Sequence, residues 1–180
     1  MNESELFGAP WDQRLTVLTV VISAIMLGAT VFTAWLAFTR ASSTALRAIL
    51  GASAVVPLAV FVIGAALAPH GYAIRDGLLR IERRVAAIEI PLASIRAVER
   101  LPDESLAGSV RTLGSGGFFG YYGRFRNGTL GDYRMYATRG GGYVLVRADR
   151  PYVLTPDSPD RFIEALNRGR GPATVGGGAR

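Results

Sequence analysis

The hydrophobic pattern divides the chain near residue 69. Two long uncharged runs fill the first part, residues 15–38 and residues 48–68, with 24 and 21 residues. At a rise of about 1.5 Å per residue, each run makes a helix of about 30 Å or more, which is the thickness of the hydrocarbon core of a bilayer. The pattern therefore predicts a transmembrane hairpin of two helices, preceded by an N-terminal segment, residues 1–14.

Two other interpretations of this first part fit the sequence less well. A single uncharged run is compatible with a buried helix of a soluble protein, but two successive runs joined by a short polar link, residues 39–47, are not typical of one. A signal peptide has an apolar core of roughly 7–15 residues after a basic segment, whereas the first run is longer and follows a mainly acidic segment. Neither run contains an ionisable residue, which argues against ion or proton transport by this chain alone.

Beyond residue 70 the apolar positions alternate with polar ones, which is the period of a β-strand. Asp76-Gly77 lies between two such stretches and is typical of a tight hairpin turn. Pro91 fits the end of a strand. Similar short stretches continue to about residue 154, so the pattern predicts about seven short strands.

The last part of the chain changes period again. Pro159 and Asp160 suit the first turn of a helix, and Phe162 begins an apolar face at helical spacing. The chain is thus predicted to be an α+β membrane protein. A small β-domain, residues 70–168, follows the hairpin and ends in the helix, and residues 169–180 form a disordered tail.

Charge is distributed as unevenly as hydropathy. All 20 basic residues are arginine, as is typical of a high-GC bacterial genome, and the whole net charge of +6 falls in residues 70–180. Arginine is enriched in the cytoplasmic flanks of membrane helices. The link between the two runs carries two arginines and the opposite side carries five, Arg14, Arg75, Arg80, Arg83 and Arg84. This asymmetry predicts a two-span protein of a bacterial inner membrane with both termini, including residues 1–14, in the cytoplasm.

The stretch "GSGGFFGYYGRFRNGTLGDY", residues 114–133, is rich in glycine, aromatic residues and arginine. Two interpretations stay open for it. The aromatic residues pack the core of a small barrel while the glycines permit bends, or some of them form a surface at the membrane with arginines that meet lipid phosphate. The candidate lipid or partner surface consists of Arg111, Phe118, Phe119, Tyr121, Tyr122, Arg124 and Arg126.

Catalytic chemistry has little support in the sequence. The chain has no cysteine and a single histidine, His70, which lies at the predicted membrane exit. The segment "GSGGFFG" has neither the glycine spacing nor the following lysine of a nucleotide-binding loop. We therefore predict no catalytic residues, no cofactor, no metal and no nucleic-acid partner.

The part beyond the hairpin resembles the membrane-attached bacterial pleckstrin-homology-like (PH-like) domains. The resemblance rests on "YAIRDGLLRIERR", "EIPLASIRAVE", "GSGGFFGYYGRF" and "YVLTPDSPDRFIEAL". It implies a β-sandwich or partly open barrel of seven strands, capped at one end by the C-terminal helix, without enzymatic activity. Eukaryotic relatives in fold often bind phosphoinositides through a basic loop between the first two strands. The corresponding turn here is short and contains only Arg75-Asp76-Gly77.

Together these features predict a non-enzymatic interaction module that is anchored in the membrane and binds a protein or anionic lipid at the cytoplasmic face. The bilayer itself and a protein of unknown identity are the predicted partners. The alternative is an accessory subunit of a transporter or another membrane complex, which contacts that complex through the helix hairpin.

Overall fold

A computed structural model of the protein describes residues 4–170, and its first large feature is a hairpin of two long helices. These are α1 (Gln13–Thr39) and α2 (Thr44–Leu67). Each helix begins at a side chain that caps its free backbone N–H groups. The Asp12 carboxylate accepts a hydrogen bond from the Leu15 N–H at 2.7 Å, and the Ser43 hydroxyl accepts one from the Leu46 N–H at 3.2 Å.

Most side chains on both helices are apolar and face outwards. Val20, Leu27, Val31 and Val56 each expose 60% or more of their surface. By length and composition alone, both helices suffice to cross a membrane, and they contain nearly all of the two runs predicted to do so. Pro57 lies inside α2, where its ring removes one backbone hydrogen bond.

Two β-sheets and a third helix make up the rest of the described chain. The strands are β1 (Glu5–Gly8), β2 (Pro69–Arg75), β3 (Leu78–Arg83), β4 (Ile88–Pro91), β5 (Ala97–Leu101), β6 (Val110–Gly116), β7 (Tyr121–Asn127), β8 (Gly131–Ala137), β9 (Tyr143–Arg147) and β10 (Pro151–Leu154), followed by α3 (Pro159–Gly169). One sheet has the order β1-β2-β3-β4 and the other the order β5-β9-β10-β8-β7-β6. All neighbouring strands are antiparallel except β8 and β10, which are parallel.

The predicted fold class is confirmed: two apolar helices precede a sheet-rich domain with a C-terminal helix, and neither sheet closes on itself. Between residues 69 and 154 the structure has nine strands where the pattern predicted about seven. The segment around Pro91 divides into β4 and β5, which belong to different sheets. The glycine-aromatic stretch contains the end of β6, all of β7 and the start of β8, and its glycines allow the backbone to bend between β6 and β7.

The segment before the hairpin is part of the β-domain, which the sequence did not indicate. Strand β1 pairs with β2, with Phe7 opposite Tyr72. The Phe7 ring is buried and meets the Phe162 ring edge-on at 5.0 Å between centroids. The chain therefore leaves the sheet, forms the helix hairpin and returns to the neighbouring strand.

The main core lies between the two sheets and α3. Phe162 and Leu166 are fully buried there, which confirms the predicted role of the C-terminal helix in the core. Tyr72 is also buried, donates a hydrogen bond to the Tyr136 carbonyl at 2.7 Å and accepts one from the Thr155 N–H at 3.1 Å. Burial raises the pKa of Tyr72 to about 12, so the hydroxyl stays protonated and continues to link the sheets.

A second core lies on the other face of the six-stranded sheet. Because β5 and β6 form opposite edges of this sheet, residues 102–109 must cross it from one edge to the other. Hydrogen bonds attach residues 102–109 to the sheet. The Tyr133 hydroxyl donates to the Ser109 hydroxyl at 2.8 Å, and the Asn127 side chain donates to the Ser105 carbonyl at 2.8 Å. Beneath residues 102–109 lie buried Phe125, Tyr133, Met135 and Leu145.

Helix α3 ends at Gly169, close to the predicted end of the domain. The predicted disordered tail falls almost entirely on residues 171–180, which lie outside the described residues.

The contribution of β1 generates a testable prediction. A fragment that starts at residue 69 lacks Phe7 and leaves the edge of β2 bare, so we expect it to unfold at a clearly lower temperature than a chain in which residues 1–12 are retained. Packed helices lie about 8–10 Å apart, a span that a six-residue Gly/Ser linker covers at about 13 Å root-mean-square length. Such a linker can therefore replace residues 13–68.

Both proteins lack the hairpin, so the difference in melting temperature, followed by circular dichroism, reports on the segment that contains β1 and the residues up to Asp12. Loss of a buried Phe typically costs about 3–5 kcal/mol, a large part of a total stability of about 5–15 kcal/mol. Equal melting temperatures for the two proteins would contradict the assignment of β1 to the domain.

Candidate functional site

The glycine-aromatic stretch forms the β6–β7 hairpin, and its turn carries two adjacent phenylalanines. We call residues 117–120 the aromatic tip. The Gly117 N–H donates to the Gly120 carbonyl at 3.1 Å. The Ser115 hydroxyl accepts from the Phe118 N–H at 3.0 Å and donates to the Phe118 carbonyl at 2.8 Å. Phe119 has a φ of 60°, a left-handed conformation that is uncommon outside glycine and that this turn imposes.

The aromatic tip packs against both helices of the hairpin. The Phe119 N–H donates to the Thr19 hydroxyl of α1 at 3.1 Å. The Phe61 ring of α2 meets the Phe119 ring edge-on at 5.1 Å and the Phe118 ring at 6.2 Å. Trp11, just before α1, lies 6.0 Å from Phe119. Edge-to-face pairs at these distances are favourable.

Gly64 of α2 allows this close approach. A Cβ at this position would lie 3.1 Å from ring carbons of Phe118 and 3.4 Å from the Phe119 ring. The Gly64 carbonyl also accepts a hydrogen bond from the Tyr122 hydroxyl at 2.9 Å. Gly64 therefore contacts both the aromatic tip and Tyr122 of β7.

The aromatic tip packs on the turns of both helices that lie nearest the β-domain. Thr19 is six residues into α1 and Gly64 is three residues before the end of α2, which places the contacts about 9 Å and about 5 Å along the helix axes. The N–H groups of Gly117, Phe118 and Phe119 all have partners.

The structure separates the candidate surface into groups. It brings Phe118, Phe119 and Tyr122 together on the helices. Tyr121 is half-buried beside them, and burial, with a smaller effect of the Asp12 carboxylate, raises the pKa of its hydroxyl. Arg124 points to the same side of β7 as Tyr122, because side chains two residues apart share a face.

The arginines of the candidate surface do not form one patch. Arg124 and Arg126 are exposed on one face of the sheet, about 10 and 17 Å along β7 from Tyr121. Arg111 is paired in register with Phe125, which puts it on the opposite face. There it borders a cleft of about 630 Å³ that Phe125, Tyr133 and other aromatic residues line.

The core-packing interpretation describes much of the glycine-aromatic stretch, and the membrane-surface interpretation stays a prediction. Phe125, Tyr133 and Tyr136 are buried in the domain cores, and Tyr122 is buried while its hydroxyl reaches α2. The aromatic tip, in contrast, packs its phenylalanine rings on the helices.

Sequence reasoning missed the residues that receive the aromatic tip: Thr19, Phe61 and Gly64. Each lies in an apolar run in which threonine, phenylalanine and glycine are common, so the sequence pattern carries no signal for them. The candidate surface also did not include Arg134 and Arg150, which share a surface cleft with Arg124 and Arg126. Only the register of β7, β8 and β10 brings these four together.

Within residues 4–170, no group of three or more His, Cys, Asp or Glu side chains is arranged to hold a metal ion. What the described residues form instead is a docked aromatic tip on two apolar helices and, on another part of the domain, a surface rich in arginine.

Two packed sheets, a tight β2–β3 turn and a C-terminal helix that closes one end of the core define a PH-like sandwich. Residues 70–169 match the family model described as Bacterial PH domain, and the chain belongs to this family. The match confirms the resemblance carried by the sequence motifs. No curated protein and no solved structure matches the chain.

Gly64 provides a test of the docked tip. Substitution Gly64→Leu places a branched side chain against the phenylalanine rings, so we expect the aromatic tip to leave the helices and the melting temperature of the full chain in detergent micelles to fall. Gly51→Leu, also on α2, is the matched control, because a Cβ at Gly51 has no atom within 4 Å. The docking is refuted if both variants melt at the same temperature.

Proposed function

We propose that this bacterial PH domain protein is a non-enzymatic interaction module of a bacterial inner membrane. Helices α1 and α2 span the bilayer, and the β-domain presents a binding surface for a protein or anionic lipid at the cytoplasmic face. The docked aromatic tip is the observation that carries this proposal. It attaches the β-domain to the side of two apolar helices, where the domain rests against the membrane.

The outward surface of the helices supports the membrane part of the proposal. Soluble proteins rarely expose contiguous apolar patches of more than a few hundred Å², whereas large aliphatic side chains are exposed along both helices. In a bilayer the same side chains face lipid tails, so their apolar surface is not exposed to water. Trp11, Tyr121 and Arg14 then lie near the level of the headgroups, where amphipathic side chains are favoured.

The family and the surface chemistry support the interaction role. A PH-like domain is a scaffold for binding, and the described part of this one carries exposed arginines on both faces of its larger sheet. The excess of arginine on the domain side of the helices favours a cytoplasmic location for the domain.

A second candidate function rests on a cleft between the two helices. It has a volume of about 360 Å³ beside Pro57 and is lined almost wholly by apolar groups, among them Ala24, Leu27, Leu58 and Phe61. This groove favours the accessory-subunit role, in which a helix of a transporter or another membrane complex binds the hairpin. One experiment separates the two functions. A variant that keeps residues 13–68 but lacks the β-domain should still co-purify with its membrane partner if the protein is an accessory subunit, and should lose that partner if the β-domain makes the contact.

The proposed topology predicts the behaviour of reporter fusions. A reporter that is active only in the cytoplasm should be active when fused after Arg180, because both termini lie on that side. A reporter that is active only in the periplasm should be active when inserted between Ser42 and Ser43, in the link between the helices. The reverse pattern, with periplasmic activity at Arg180, would rule out the cytoplasmic location of the domain.

A further inference from the structure

Strands β7 and β8 place two arginines directly opposite each other. Arg124 and Arg134 are partners in the antiparallel register, and the next pair on the same face is Arg126 with Asp132. Directly opposite side chains on neighbouring strands have Cβ atoms about 4.5–5.5 Å apart, and like charges at this distance destabilise a sheet. Arg124 is exposed, so packing does not explain the arrangement.

Nearby acids do not neutralise this pair. Asp132 receives two hydrogen bonds from Arg126, at 2.5 and 2.6 Å, and Asp149 receives one from Arg150 at 2.7 Å. Among residues 4–170, neither Arg124 nor Arg134 forms an ion pair or a side-chain hydrogen bond.

The two acids stay ionised at neutral pH. Hydrogen bonds from Arg126 and Arg150 lower the pKa values of Asp132 and Asp149, respectively. The four guanidinium groups of this region therefore face two carboxylates, which leaves a net charge of +2.

The arginines surround a surface cleft of about 500 Å³. Its lining includes Thr112, Arg124, Arg126, Asp132, Arg134 and Arg150. This volume falls in the range of small-ligand sites, about 300–1,000 Å³. Arg124, Arg126 and Arg134 lie on strands, whose backbone fixes them more firmly than a loop would, and Arg150 lies in the turn before β10.

We propose that this cleft binds a phosphate-type oxyanion, which the guanidinium groups of Arg124 and Arg134 hold between them. Guanidinium presents paired N–H donors that match the oxygens of a phosphate group. The bound anion removes the repulsion between the two arginines, and Arg126 and Arg150 add positive charge at the sides. The inference rests on the proposed interaction role and names the class of ligand that the domain recognises.

A phosphate group reaches this cleft either on a soluble molecule or on a lipid headgroup. Arg124 lies four residues beyond Gly120 of the aromatic tip, about 13 Å along an extended strand. This distance is larger than the range of about 8–10 Å over which exposed charges interact at physiological salt. The position of Arg124 therefore does not decide between the two sources, and the experiment needs a separate arm for each.

The test uses the full chain in nanodiscs of phosphatidylcholine, with inorganic pyrophosphate as the probe at constant ionic strength. We expect the native chain to bind pyrophosphate in a calorimetric titration and to melt at a higher temperature when it is present. Arg134→Gln should weaken this binding about tenfold or more, as expected for loss of a charge-assisted hydrogen bond. Without pyrophosphate the same variant should melt no lower than the native chain, because the repulsion is gone.

Arg161→Gln is the matched control, since Arg161 is an exposed arginine on α3 away from the cleft and its loss changes the net charge equally. Absence of pyrophosphate binding by the native chain overturns the proposal. Equal weakening by Arg134→Gln and Arg161→Gln also overturns it, because the effect would then follow net charge alone. Stable insertion of each variant into nanodiscs is recorded separately, so a failure of the cleft is distinguishable from a failure of membrane anchoring.

A second arm adds an anionic lipid, phosphatidylglycerol, to the nanodiscs. If headgroups of the surrounding leaflet fill the cleft, pyrophosphate binding weakens in these discs through competition, and Arg134→Gln removes the competition. If the source is a soluble molecule, the affinity for pyrophosphate is the same in both lipids. Either result supports the oxyanion site and identifies its source.

Discussion

The pairing of β1 with β2 is the interaction on which the rest of the structure depends. It joins a strand that precedes the helix hairpin to the strand that follows it, so both ends of the hairpin are fixed in one sheet. The hairpin is therefore an insertion between two neighbouring strands of the β-domain and not an anchor attached through a single flexible link. Phe7 adds to this constraint because its ring lies in the main core against Phe162.

Further contacts on two sides of the hairpin fix the helices to the domain. Asp12 caps α1 through the Leu15 N–H, and its second carboxylate oxygen accepts from the Gly140 N–H at 2.7 Å. The Thr138 hydroxyl donates to the Pro10 carbonyl at 2.9 Å. On the other side, the aromatic tip contacts α1 at Thr19 and α2 at Phe61. A domain attached at several points keeps a defined orientation, so its arginine cleft keeps a defined position relative to the hairpin.

The sequence predicted the features that depend on local periodicity. The two helices, the turn at Asp76-Gly77 and the helix that buries Phe162 follow from apolar spacing and turn chemistry. Strand β1 has only four residues, too few for an alternation to stand out. The contact between Gly64 and the aromatic tip, and the pairing of Arg124 with Arg134, join residues that are distant in the chain or depend on strand register. Register follows from the packing of both faces of a sheet, and no single segment encodes it.

The position of the aromatic tip at the membrane is the central claim, and the depth of a fluorophore there tests it most directly. A chain with Trp11→Phe and Trp35→Phe lacks its native tryptophans, and Phe118→Trp then reports on the tip alone. In nanodiscs with lipids brominated near the start of the acyl chain, we expect strong quenching of this tryptophan. Val110→Trp, at the far end of β6, should be quenched little. Equal, weak quenching at both positions would contradict the docking of the aromatic tip beside helices that span a bilayer.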